Sequence, residues 1–131
     1  MKINFATVLN GTLTQVLGEL LGTMMPKNSA NNVIKFVDLM NEEIKNYVEK
    51  SNEEYKEFFT KNEIGFKQSQ FFLVPTVEIN NDDKNYPDYQ NLLKKVNTGD
   101  ITFEWKAVTL NLAQVKPLWI ELLQKTGYFK L

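Results

Sequence analysis

The stretch from Ser29 to Asn62 constrains this chain more than any other. Apolar or aromatic residues recur at Val33, Val37, Met40, Ile44 and Tyr47, with spacings of four, three, four and three. Ser51 and Glu54 interrupt the seam before Phe58 restores it, and Ile34, Val48, Tyr55 and Phe59 widen the stripe, as expected of a core-facing helix. Pro26 and the polar pair Asn28-Ser29 signal its start, and Asn62 with Gly65 signals its end. At about 1.5 Å per residue such a helix is roughly 50 Å long. A compact domain of this size has a radius of gyration of about 14 Å, so the helix should outreach it. Its far end, Tyr55 to Phe59, therefore needs a partner helix, a second copy of the chain or the later strands. A helical hairpin within one chain satisfies this. So does an oligomeric coiled coil, although the Ser51/Glu54 interruption counts against a continuous seam.

With 131 residues, 43% hydrophobic and 24% charged, the chain has the size and balance of one globular domain. No apolar run approaches a bilayer span and the leading residues carry no signal-peptide core, so we expect a cytoplasmic protein, or one assembled in a cytoplasm, and no membrane partner. Cys and His are both absent, which removes structural zinc, thiol chemistry and an imidazole base. All fifteen basic residues are Lys. Without Arg the planar fork that grips phosphate is missing. The net charge of −1 also argues against direct nucleic-acid binding.

Along the chain, Lys2 to Phe5 reads as a short strand and Leu9-Asn10-Gly11 as a turn. Thr12 with Gln15 fits a capping box ahead of a helix whose apolar face is Leu13, Val16, Leu17, Leu20, Leu21 and Met24. Gly18 and Gly22 share the GxxxG spacing, which in a non-membrane helix reads as incidental glycine. Met25-Pro26 ends this helix, and the short connection predicts an antiparallel hairpin with the long one. The outer face of the long helix mixes Glu42, Glu43, Glu49, Glu53, Glu54 and Glu57 with Lys45, Lys50, Lys56 and Lys61, the pattern of a solvated face. Glu57 and Lys61 stand in the favourable i,i+4 order. Glu49, Glu53 and Glu57 do not read as a metal site, because carboxylate bundles of that kind also use His.

Phe71 to Ile79 reads as a strand with an edge or bulge at Pro75, and Asn80 to Asp83 as a polar loop that lacks calcium-site spacing. Pro87 opens a short helix through Tyr89, Leu92, Leu93 and Val96. Ile101 to Trp105 alternates as a strand, and Val108, Leu110 and Leu112 alternate again after a phase slip at Lys106-Ala107 that predicts a bulge. Pro117 opens a last helix closed by Gly127, with Trp119, Tyr128 and Phe129 partly exposed. The fold class is therefore α+β: a helical hairpin with one long helix over about 29–62, a small, mainly antiparallel sheet and two short helices.

This order resembles a diverse group of small tailed-bacteriophage proteins commonly encoded among virion structural genes. The likeness is carried by the leading strand, the helix ending at Met25-Pro26 and the Lys/Glu-rich long helix through Lys35, Glu42 and Glu43. Tyr89, Leu92 and Leu93, the strand Val108-Thr109-Leu110 and the closing Pro-Leu helix complete it. It covers most of the chain but includes no diagnostic motif, so no functional residues carry over. The Asn-rich loop and the aromatic strands depart from the group. The resemblance implies a non-enzymatic virion structural or assembly accessory protein that meets other virion proteins, with a homo-oligomer as a further arrangement. The alternative is a small soluble binding or regulatory protein, an inhibitor or adaptor of a host protein.

No P-loop, nucleophile elbow or dinucleotide fingerprint occurs, so we expect no catalytic residues, no cofactor and no metal. Glu78 with Asp82 or Asp83 is the one carboxylate pairing that acid–base chemistry could use. The expected contact surface is Tyr55, Phe58 and Phe59 at the far end of the long helix, with Trp119, Tyr128 and Phe129 on the last helix. These are the side chains most costly to leave in water, at about 1.5–3 kcal/mol each.

Overall fold

The computed structural model describes residues 1–23, 25–65, 79–80, 82–110 and 117–130. Among these the protein is mixed α+β. In chain order the elements are β1 (Lys2–Asn4), α1 (Phe5–Asn10), α2 (Thr12–Leu21), α3 (Lys27–Lys61), α4 (Tyr86–Asn97), β2 (Asp100–Thr102), β3 (Val108–Thr109), α5 (Pro117–Thr126) and β4 (Phe129–Lys130). The strand expected over Phe71 to Ile79 lies outside the described residues, apart from Ile79 itself. The chain, read from its length as one domain, divides into two compact units. One comprises Met1–Glu43 with Asp100–Leu131, and the other Ile44–Gly99; each takes part of α3.

In the first unit β1 and β2 pair antiparallel, with Lys2 opposite Thr102, Ile3 opposite Ile101 and Asn4 opposite Asp100. Alternation puts the Ile3–Ile101 pair in the core and leaves Lys2 and Thr102 outside. One further backbone exchange follows, between Met1 and Phe103, at 3.0 and 3.1 Å. Asn4 then caps α1, its Oδ1 accepting from the Ala6 N–H at 2.9 Å. Leu9 and Asn10, expected in a turn, instead close this short helix. Gly11, at φ +78°, ends α1 and serves as the N-cap of α2. Thr12 is therefore the first helical residue, with Gln15 N–H donating to the Gly11 carbonyl at 3.0 Å; the side chain of Thr12, on which the expected capping box rests, lies outside the described residues. The apolar face of α2 buries Leu13, Val16, Leu17 and Leu20, whereas Leu21 is exposed.

The helix α3 is 35 residues long, about 52 Å. It opens two residues earlier than the cap signals suggest, with the Pro26 carbonyl accepting from Ala30 N–H. Its buried seam in this unit is Ser29, Val33, Phe36 and Met40, so Phe36 takes the place expected for Val37, and Ile34 faces out. Phe36 is the hub of an aromatic cluster. Ring centroids lie 6.0 Å from Phe103, 5.1 Å from Trp105, 4.8 Å from Tyr128 and 5.1 Å from Phe129. The Lys106-Ala107 slip falls between strands of two different two-stranded sheets. The second sheet, β3 with β4, is parallel rather than antiparallel, with Val108 opposite Phe129 and Thr109 opposite Lys130.

In the second unit the α3 seam continues through Ser51, Tyr55 and Phe59, all buried. Ser51 is thus a member of the seam and not a break in it. The far end of the helix packs on α4: Tyr89 stacks on Phe58 at 6.3 Å and lies 5.8 Å from Phe59. The helix stops in a Schellman arrangement. Ile64 N–H donates to Phe59 O at 2.8 Å and Glu63 N–H to Thr60 O at 3.3 Å. The left-handed residue is Glu63, at φ +57°, and not the expected Gly65.

Two substitutions test these local readings. Glu63→Gly removes the side-chain penalty of a left-handed backbone and should stabilise the protein by about 0.5–1 kcal/mol in denaturant unfolding. Gly18 lies exposed inside α2, and a Cβ built there meets nothing within 4 Å. Gly18→Ala should therefore raise stability by about 0.5–1 kcal/mol, whereas a close helix approach at this glycine would make the change destabilising.

Candidate interaction surface

The aromatic residues expected to face a partner are mostly inside. Tyr55 is 1% exposed and Phe59 is fully covered, both within the Ile44–Gly99 unit. Phe58 is half-buried against Tyr89. Tyr128 and Phe129 are buried around Phe36 in the other unit. Gly127, at φ +71°, ends α5, and the next residues enter β4. The side chain of Trp119 lies outside the described residues. The expectation of an outward aromatic surface is therefore corrected for Tyr55, Phe59, Tyr128 and Phe129. They are core residues, because α4 covers the first pair and the non-local pairing of β4 with β3 draws in the second.

Among the described residues, the large apolar side chains that do face water in the first unit are Leu9 at 47%, Leu21 at 41% and Ile34 at 45%, together with Met1. They project from α1, α2, α3 and the start of the chain. Periodicity gave Ile34 and Leu21 to the core. One signal in the sequence could have found Ile34: it neighbours Val33 and sits one step off the Ser29–Val33–Phe36–Met40 spacing.

The second unit holds a cluster of tyrosines. Tyr47 hydroxyl donates to the Val96 carbonyl of α4. Gly99 lies directly against that hydroxyl, and a Cβ there would collide with it. The Tyr55 hydroxyl is buried and finds no hydrogen-bond partner among the described residues, and neither does the Asn52 Oδ1 one turn earlier. Burial pushes the Tyr55 phenol up to about 12, and the neighbouring Tyr89, Tyr47 and Glu54 add to the rise. Burial also raises Tyr89, and in the other unit Tyr128, whose hydroxyl donates to Lys2 O at 3.1 Å.

A polar cleft in the second unit is lined by Lys61, Asn62, Glu63, Lys84 and Asn85. Ammonium, amide and carboxylate groups alternate there, so it presents no single charge. The outer face of α3 is solvated, and its acidic row is exposed at Glu49, Glu53 and Glu57. The ion pairs formed among the described residues are Lys56 with Glu53 and Lys95 with Glu54, each at 3.6 Å, in place of the expected Glu57–Lys61 pair. Among the described residues no group of three or more acidic side chains converges to hold a metal. Asp83 is engaged locally, its Oδ1 accepting from Asn85 N–H at 2.8 Å, and Glu78 lies outside the described residues. No helix among the described residues is long and apolar enough to cross a membrane.

An unsatisfied buried hydroxyl is a net cost, so Tyr55→Phe should stabilise the protein by about 1 kcal/mol at neutral pH. The folded phenol holds its proton more tightly than the unfolded one at 10.0. This contribution is intact below pH 10 and is lost as pH rises from 10 towards 12. The advantage of Tyr55→Phe should therefore widen over that range, by about 2–3 kcal/mol in all. Urea melts of both proteins at pH 7, 10 and 11.5 measure it. Gly99→Ala should cost about 1–3 kcal/mol. On a Tyr47→Phe background, which removes the colliding oxygen, the same change should cost about 1 kcal/mol less, read as the coupling in a double-mutant cycle.

Comparison with protein-family models, with curated proteins and with solved structures finds no match to this chain.

Proposed function

We propose that the chain is a non-enzymatic bacteriophage virion structural or assembly accessory protein that acts through protein–protein contacts. The observation that supports this reading best is the outward placement of Leu9, Leu21 and Ile34 on three helices of the first unit. The fold covers only a little over half of each, and a partner that covers the remainder gains about 1 kcal/mol per side chain. The exposed Lys35 and Asp38, near Ile34 on α3, suit the rim of such a contact, where charges stay wet and guide register more than they add affinity. The order of elements also supports it, since the likeness to small tailed-phage proteins rests on that order. The expected partners are other virion proteins, with a second copy of the chain as a further one, in a virion or the host cytoplasm.

Gradient fractionation of a producing culture tests the proposal. The protein should travel with particles or assembly intermediates. Ile34→Lys should reduce that association at least tenfold while changing unfolding stability by no more than about 0.5 kcal/mol. Recovery only in the light fractions, bound to a host enzyme, would replace this reading with that of an inhibitor or adaptor.

A further inference from the structure

We draw no further inference here: the strongest candidate, the buried and unpartnered Tyr55 hydroxyl and Asn52 side-chain oxygen inside the Ile44–Gly99 unit, carries nothing because the polar cleft of that unit is lined by other residues and nothing in the structure shows what would meet the two atoms.

Discussion

A 35-residue amphipathic helix must have its apolar stripe covered along its whole length, and the described parts of this fold follow from that requirement. The two stretches of the stripe are met in different ways. Around Phe36 the cover comes from segments far apart in sequence. Phe103 and Trp105 arrive after β2, and Tyr128 and Phe129 after α5. Backbone and side-chain hydrogen bonds then fasten those segments, from Met1 to Phe103 and from Tyr128 to Lys2. Around Tyr55 and Phe59 the cover is α4, held by Tyr89 and by the Tyr47–Val96 bond. The first arrangement closes loops of a hundred residues or more and the second only about fifty, but closure entropy grows so slowly with length that the difference is about 0.6 kcal/mol. What distinguishes them is therefore the packing gained, which around Phe36 comes from four aromatic rings.

The polar groups drawn into these cores are treated unequally. Trp105 Nε1–H donates to the Tyr128 carbonyl at 2.9 Å, and the Tyr128 hydroxyl donates in turn to Lys2. Those bonds convert two amphipathic rings into fasteners between distant segments. Tyr47 does the same between α3 and α4. Tyr55 lies on the seam, where its ring and its hydroxyl are both covered but the hydroxyl meets no hydrogen-bond partner among the described residues. The ring's burial outweighs the cost of the oxygen, as expected when well over 100 Å² of aromatic surface is set against one unmet hydrogen bond.

What could be read from the sequence follows this division between local and distant. Pro117 at the start of α5, Pro87 in the first turn of α4 and Gly127 at the α5 terminus all act within a few residues, and the structure places each as expected. Ser51 reads as an interruption because seam reading looks for carbon, yet a serine is small enough to be buried where two apolar neighbours meet. Glu63 went unnoticed because a left-handed cap is sought at glycine, while here the hydrogen bonds of the helix end hold a non-glycine residue in that conformation. Tyr128 and Phe129 were misplaced for a different reason. Their burial goes with the parallel pairing of Phe129 with Val108 and Lys130 with Thr109, and no periodicity in either segment announces a partner about twenty residues away.

The same division bears on what the surface can do. Aromatic side chains are the usual anchors of protein contacts, because they bring large area at small entropy cost. Here the described aromatics near α3 are largely committed inside, around Phe36 in one unit and around Phe59 in the other. A partner meeting the first unit would instead find aliphatic side chains, Leu9, Leu21 and Ile34, set among charges of both signs. A few exposed aliphatic groups of this kind favour weak individual contacts, since without a deep anchor each copy gains little beyond the association cost. Such contacts become firm when many copies are held side by side, because each successive contact then forms at high effective concentration. That arithmetic suits repeated protein contacts in an assembly better than tight one-to-one capture of an enzyme, and it is the physical reason for preferring the virion reading to the inhibitor.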